Sequence, residues 1–254
     1  MVRNRLVATR EGSATQGPVS AEAPVTLVVN DRELVTLLCT PADLRDLAVG
    51  WLLAEGVIEG PQEIVSLAGC ANDSELLILT SPDRTAALSQ RWRVVTSGCG
   101  SGAHAGTINA ADVPQVGVGL RLSLTRLREL AVGMLRGARL YHKTGGVHAA
   151  ALATPEALVL IREDIGRHNA LDKVIGRALL DACPLHAMLL LSTGRLSSEM
   201  VWKAARAGLQ LAASVSIPTT LACDLAEAAG LTIVGRVVSP RPWVYTHPER
   251  LAEE

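Results

Sequence analysis

Met188-Leu189-Leu190-Leu191-Ser192-Thr193-Gly194-Arg195 decides the fold. A short apolar run of strand length ends in a turn, and a helical pattern follows over about 197–207. The pattern repeats on either side. Upstream, residues 158–161 lead into Glu163-Asp164-Ile165-Gly166-Arg167-His168-Asn169 and a helix that runs through Leu179. Downstream, 211–215 lead into Ser216-Ile217-Pro218-Thr219-Thr220 and a helix through Ala228, and 231–238 read as another strand. Two of these units pass through Gly-Arg into a helix, a weak internal repeat. Strands alternating with helices predict an α/β fold, a mixed and largely parallel sheet flanked by helices. Trp243-Val244-Tyr245, bracketed by Pro242 and Pro248, reads as an edge strand.

The N-terminal half reads differently. Residues 1–22 are polar and suggest a tail or a loose first strand. Residues 25–29 and 34–38 form a hairpin around the Asn30-Asp31 turn. Thr40-Pro41 then suggests a helix start, Thr as N-cap and Pro in the first turn, with Leu44, Leu47, Ala48, Trp51 and Leu52 on one face and Gly56 as the stop. Strands are predicted over 64–67, 76–79 and 92–96, with a turn at Asn72-Asp73. A helix is predicted over 124–141, its arginines forming a solvated face, and short strands over 149–153 and 157–161. The expected organisation is a tail (1–22), a small α+β domain (23–100), a mobile linker (101–120) and an α/β domain (121–254).

Composition narrows the function. The chain has 254 residues, 48% of them hydrophobic and 19% charged, which suits a globular core. Aromatics make up 2% and Phe is absent, so that core rests on Leu, Val, Ile and Ala. A net charge of -1 argues against a general grip on nucleic acid or an anionic membrane. Each candidate membrane span is interrupted by Asp, His, Arg or Pro, and no secretory signal follows Met1-Val2-Arg3-Asn4-Arg5. Five scattered cysteines without a Cys-x-x-Cys pair are no disulfide or zinc framework, so a reducing cytoplasm is expected.

One cysteine stands apart. In Ser97-Gly98-Cys99-Gly100-Ser101-Gly102 the thiol lies between glycines that leave it little cover and let the backbone turn freely. That presentation suits sulfur chemistry, and a Gly/Ser turn that happens to contain Cys is the alternative. His104, five positions on, is a candidate to lower its pKa. Cys39, Cys70, Cys183 and Cys223 have apolar or helical settings and read as packing residues.

Ligands of such sheets bind where strands turn into helices. Three turns here offer helix starts, with Arg167 and Arg195 as forks for phosphate or carboxylate and hydroxyls from Ser192, Thr193, Ser197, Thr219 and Thr220. Ordinary capping accounts for any one turn. Three turns with two arginines describe a pocket for a phosphate-bearing ligand. His168, beside Arg167 and Asp164, is placed to titrate near neutrality and to contact that ligand. His142 and His148 flank a Gly-Gly turn without the spacing of a zinc motif, so no metal site is expected.

The motifs Thr144-Gly145-Gly146-Val147-His148, Asp164 to Lys173, Ser192-Thr193-Gly194-Arg195 with Glu199-Met200-Val201 and Lys203-Ala204-Ala205, Pro218 to Ala222 and Tyr245 to Leu251 resemble the FdhD family over about 22–252. The resemblance implies a cytoplasmic accessory protein needed for formate dehydrogenase activity. Such a protein takes persulfide sulfur from a cysteine desulfurase and passes it to the molybdenum cofactor, a bis-molybdopterin guanine dinucleotide that it also binds. It implies a cytidine deaminase-like larger domain, here without the zinc signature of deaminases. Cys99 is then the sulfur carrier, and Arg167, His168, Ser192, Thr193, Gly194, Arg195 and Thr219 are expected to hold the cofactor. The partners implied are the desulfurase, apo formate dehydrogenase and the cofactor, and a homodimer is left open. One departure matters. Family members carry two cysteines in the loop, as Cys-Gly-x-Cys-Gly, and this chain has Cys99-Gly100-Ser101-Gly102-Ala103. A single thiol can hold a persulfide but cannot resolve it as an internal disulfide. The alternative is therefore a non-catalytic chaperone that binds the cofactor for the apoenzyme.

Overall fold

A computed structural model describes residues 1–8, 14–70, 74–85, 94–95 and 110–252. Cys99 and His104 lie outside the described residues, as do the expected Asn72-Asp73 turn and residues 101–109 of the expected linker. The strands are β1 (Val2–Ala8), β2 (Ala14–Ser20), β3 (Ala23–Val29), β4 (Arg32–Cys39), β5 (Ile64–Gly69), β6 (Glu75–Thr80) and β7 (Val94–Val95), then β8 (Leu122–Ser123), β9 (His148–Ala153), β10 (Leu158–Asp164), β11 (Leu189–Ser192), β12 (Leu211–Ser214), β13 (Thr232–Gly235), β14 (Trp243–Thr246) and β15 (Leu251–Ala252). The helices are α1 (Leu44–Ala54), α2 (Leu124–Gly137), α3 (Arg139–Thr144), α4 (Arg167–Leu180), α5 (Ser198–Arg206) and α6 (Thr220–Ala229).

The larger sheet has the order β10-β9-β11-β12-β13-β14, and β14 is its edge. Its parallel pairs, β11 with β12 and β12 with β13, are central, and the outer pairings are antiparallel. The Pro155-Glu156 turn folds β10 back on β9, which makes the sheet mixed. Leu189-Leu190-Leu191 is apolar without alternation because both faces are covered. Leu189 and Leu191 pack with α2, while Leu190 faces the cluster that holds α4, α5 and α6.

The second sheet has the order β5-β6-β3-β4-β7. Its inner residues Val25, Leu27, Val29, Leu34, Val35 and Leu37 join the same apolar cluster as α1, α4, α5 and α6. The two parts of the chain therefore share a core. Nearly every side chain of α1 from Asp46 onward is buried, as expected of a helix enclosed on all sides. It meets α4 through glycine: a Cβ on Gly50 would lie 1.9 Å from the Asp172 carbonyl oxygen, and one on Gly176 1.9 Å from that of Asp46.

Three local expectations are corrected. Residues 1–22, expected as a tail or a loose first strand, hold two paired strands, the antiparallel β1–β2 hairpin, tied down by a bond from Ser20 Oγ to Thr144 Oγ1 (2.9 Å). α1 starts at Leu44 after Asp43, not at Thr40-Pro41, because Thr40 is engaged elsewhere. The helix expected over 124–141 breaks at Ala138 into α2 and α3, and the Glu163 carboxylate accepts the Leu140 and Tyr141 N–H groups (3.0 and 2.6 Å) at the new start. Among the described residues no helix is long and apolar enough to cross a membrane.

Candidate functional site

Strand register gathers the site. Ser192 at the end of β11 pairs with Ala150, and Asp164 at the end of β10 pairs with His148 at the start of β9. The end of β12 lies alongside, since Ser192 pairs with Ser214. The loops that follow lead into α4, α5 and α6, so three helix starts share one end of the sheet. Those loops are laced together. Ser214 Oγ donates to the Gly194 carbonyl (2.6 Å), Val215 N to that of Ser192 (3.0 Å) and Thr219 N to that of Leu196 (3.0 Å).

The expected hydroxyls first shape their own turns. Ser192 Oγ accepts from Gly194 N (3.1 Å), Thr193 Oγ1 from Ala149 N (3.0 Å), and Thr219 Oγ1 from Ala222 N (3.4 Å) as the N-cap of α6. The other two starts differ: neither Gly166 before α4 nor Ser197 before α5 makes a side-chain cap bond. His168 joins these two starts. Its Nε2 lies 3.1 Å from Ser197 Oγ and 3.3 Å from Glu199 Oε2. Glu199, in the first turn of α5, meets part of that helix's positive end. Burial pushes the His168 imidazole down to about 2, helped by the positive charges of Lys203 and Arg167. The expectation that His168 titrates near neutrality is corrected: burial favours the neutral ring, which lies against Ser197 and Glu199.

Gly194 marks where the loop meets α4. A Cβ there would lie 2.9 Å from Arg167 Cβ, 3.1 Å from Arg167 Cδ and 3.4 Å from His148 Nδ1. His148, part-buried, also lies 3.4 Å from Thr193 Oγ1 through Nδ1. Burial lowers its pKa and Arg167 adds to that; Asp164 opposes it and Arg195 lowers it further. Arg195 is exposed at the rim.

Behind this surface lies a buried knot that the sequence reading did not single out. Asp164 Oδ1 accepts from Gly166 N (2.9 Å) and Asn169 Nδ2 (3.0 Å), and its Oδ2 from Thr40 N (3.0 Å) and Lys173 Nζ (2.6 Å). Lys173 also donates to the Thr40 carbonyl (3.0 Å), and Thr40 Oγ1 accepts Ile165 N (3.1 Å). Asp164 and Lys173 are wholly buried, and their charges are tolerated only because each is paired and bonded. A second buried pair joins Asp172 to Lys203 at 2.5 Å. One signal was available: Asp172 and Lys173 stand between the apolar residues Leu171 and Val174 of α4.

Cys39, at the end of β4, adjoins this knot and is buried, which pushes its thiol up to about 12. It is an inert packing residue. Beside it, β7 pairs in parallel with β4, Val95 opposite Leu37. In sequence, Cys99 follows β7 and lies outside the described residues.

The sequence model of the FdhD/NarQ family matches residues 20–252. The chain belongs to the FdhD/NarQ family. Relatives named "Sulfur carrier protein FdhD" include that of Shouchella clausii, 38% identical over 242 residues, covering 92% of this chain and 90% of the relative. The Bacillus subtilis protein of that name is 37% identical over 245 residues, 96% of this chain and 94% of its own length. That of Xanthomonas campestris pv. campestris is 40% identical over 249 residues, 94% and 88% respectively. A crystal structure described as that of a candidate formate dehydrogenase accessory protein from Desulfotalea psychrophila superposes with a TM-score of 0.81 at 25% identity, covering 99% of both chains. The mixed α/β architecture is thus that of the FdhD/NarQ family.

Proposed function

We propose that this FdhD/NarQ member is a cytoplasmic sulfur carrier for formate dehydrogenase, with Cys99 as the carrying thiol. The strand register carries the reading. It sets β7, the strand that precedes the cysteine in sequence, beside β4, whose end is bonded through Thr40 to Asp164 and so to the start of α4. In loading, the Cys99 thiolate attacks the sulfane sulfur of a cysteine desulfurase persulfide. The new S–S bond forms as the old one breaks, and the desulfurase cysteine leaves as thiolate. In delivery, the terminal sulfur passes to the molybdenum of the bis-molybdopterin guanine dinucleotide substrate, which supplies the two electrons that make it sulfide, and Cys99 is released as thiolate. Arg167, Arg195 and the uncapped start of α4 bind the cofactor phosphates. Ser192, Thr193 and Gly194 hold the turn that presents Arg195, while His168 keeps the helix starts in register.

The loop's single cysteine favours one second reading, a cofactor-binding chaperone without sulfur transfer. Formate dehydrogenase activity in cells that depend on this chain separates the two. Cys99→Ala is expected to abolish activity, while Cys183→Ala and Cys223→Ala retain it. Activity preserved in Cys99→Ala but lost in the Arg167→Ala/Arg195→Ala double variant would leave the chaperone reading in its place.

A further inference from the structure

Three elements crowd cationic groups around Gly194. Arg167 opens α4, Arg195 lies in the turn after β11, and His148 opens β9. Where a Cβ of Gly194 would stand, Arg167 atoms approach to 2.9 Å and the His148 ring to 3.4 Å, so the glycine leaves these side chains in contact with the turn. Asp164, paired with His148 across the β9–β10 ladder, has both of its oxygens committed to the Thr40, Gly166, Asn169 and Lys173 donors. His168, the other titratable group nearby, is turned to Ser197 and Glu199. His148 keeps one ring nitrogen on the Thr193 side, and the residue remains partly accessible.

We propose that His148 is a further ligand-binding residue of this site, and that it takes up a proton when a phosphate settles between Arg167 and Arg195. The inference rests on the anion-site reading above. Empty, the two guanidiniums oppose a third positive charge. A phosphate dianion reverses that field, a solvent proton completes the imidazolium, and the ring donates to a phosphate oxygen as a charge-assisted bond. The site thereby prefers a doubly charged phosphate to a singly charged carboxylate. Binding coupled to protonation is stronger at low pH and weakens as pH rises through the bound-state pKa, by up to about tenfold per pH unit for one proton.

The test is calorimetric titration of the full chain with guanosine diphosphate in buffers of different ionisation heat, from pH 6 to 8. The wild type is expected to take up a fraction of a proton per ligand bound and to lose affinity above pH 7. His148→Gln, and His148→Asn as a second variant of intact melting temperature, are expected to take up less and to show a flatter pH profile. All proteins see the same ligand, whose terminal phosphate titrates near about 6, so the difference between them belongs to His148. Equal proton uptake in wild type and variants would overturn the inference and leave the anion site standing. No binding by the wild type at any pH would overturn the anion site, and this inference with it.

Discussion

His168 holds two helix starts together without carrying a charge. Its bond to Ser197 Oγ and its approach to Glu199 need only a neutral ring, and burial keeps it so. The consequence for stability has a definite sign. In the unfolded chain the imidazole takes a proton near about 6.5, whereas the folded one resists down to about 2. Below neutral pH the unfolded state therefore binds more protons, and stability falls as pH falls, by up to about 1.4 kcal/mol per pH unit. Asp172, which burial pushes up to about 6 against the pull of Lys203, acts in the opposite direction between about 4 and 6. The clean measurement is the denaturant stability of wild type minus that of His168→Gln. That difference is expected to shrink on going from pH 7 to pH 5, and a constant difference would show that the ring already titrates normally. The Asp164 knot is a lesson at the same scale. The sequence displayed Asp164, Asn169 and Lys173, but their partners Leu38 and Thr40 lie more than a hundred positions away. Local spacing cannot reveal a bond that only the packed sheets create. Lys173→Ala would leave the carboxylate buried and uncompensated and should cost about 3–5 kcal/mol. Asp164→Asn with Lys173→Met, which removes both charges, should cost clearly less in the same unfolding measurement.

At the scale of elements, α1 and α4 pack backbone to backbone through Gly50 and Gly176. Both glycines face backbone atoms that cannot swing aside. Gly50→Ala is therefore expected to destabilise by about 3 kcal/mol or more. Gly117→Ala meets only the Gln210 side chain, at 3.6 Å, and should change stability by less than about 0.5 kcal/mol. Equal melting temperatures for the two variants would contradict the close helix contact. The βα alternation of the C-terminal half was legible because each strand is a short apolar run bounded by Gly, Ser or Pro. The start of α1 was not. Thr40-Pro41 carries good start chemistry, but Thr40 is drawn into the Asp164 knot and the helix begins four residues later, after an Asp43 in the left-handed region (φ 52°). A tertiary bond outweighed a local signal. The break at Ala138 has a similar cause: the Glu163 carboxylate, from β10, meets the N–H groups of the new helix.

At the scale of the molecule, one apolar cluster joins the β3–β6 region, α1 and the helices α4, α5 and α6. The sequence displayed both parts of the proposed site, the glycine-flanked cysteine and the helix-start turns. It could not show that the strand before the cysteine pairs with β4, because that register is a property of the assembled sheet. Cys99 as the sulfur carrier is the role on which the proposed function depends. The direct measurement is mass spectrometry of the full chain after incubation with a cysteine desulfurase and cysteine, with added sulfur mapped by peptide. A gain of about 32 Da per sulfur confined to the peptide that carries Cys99, and absent in Cys99→Ala, is the predicted result. An unmodified Cys99 beside a desulfurase that loads a control acceptor would contradict it.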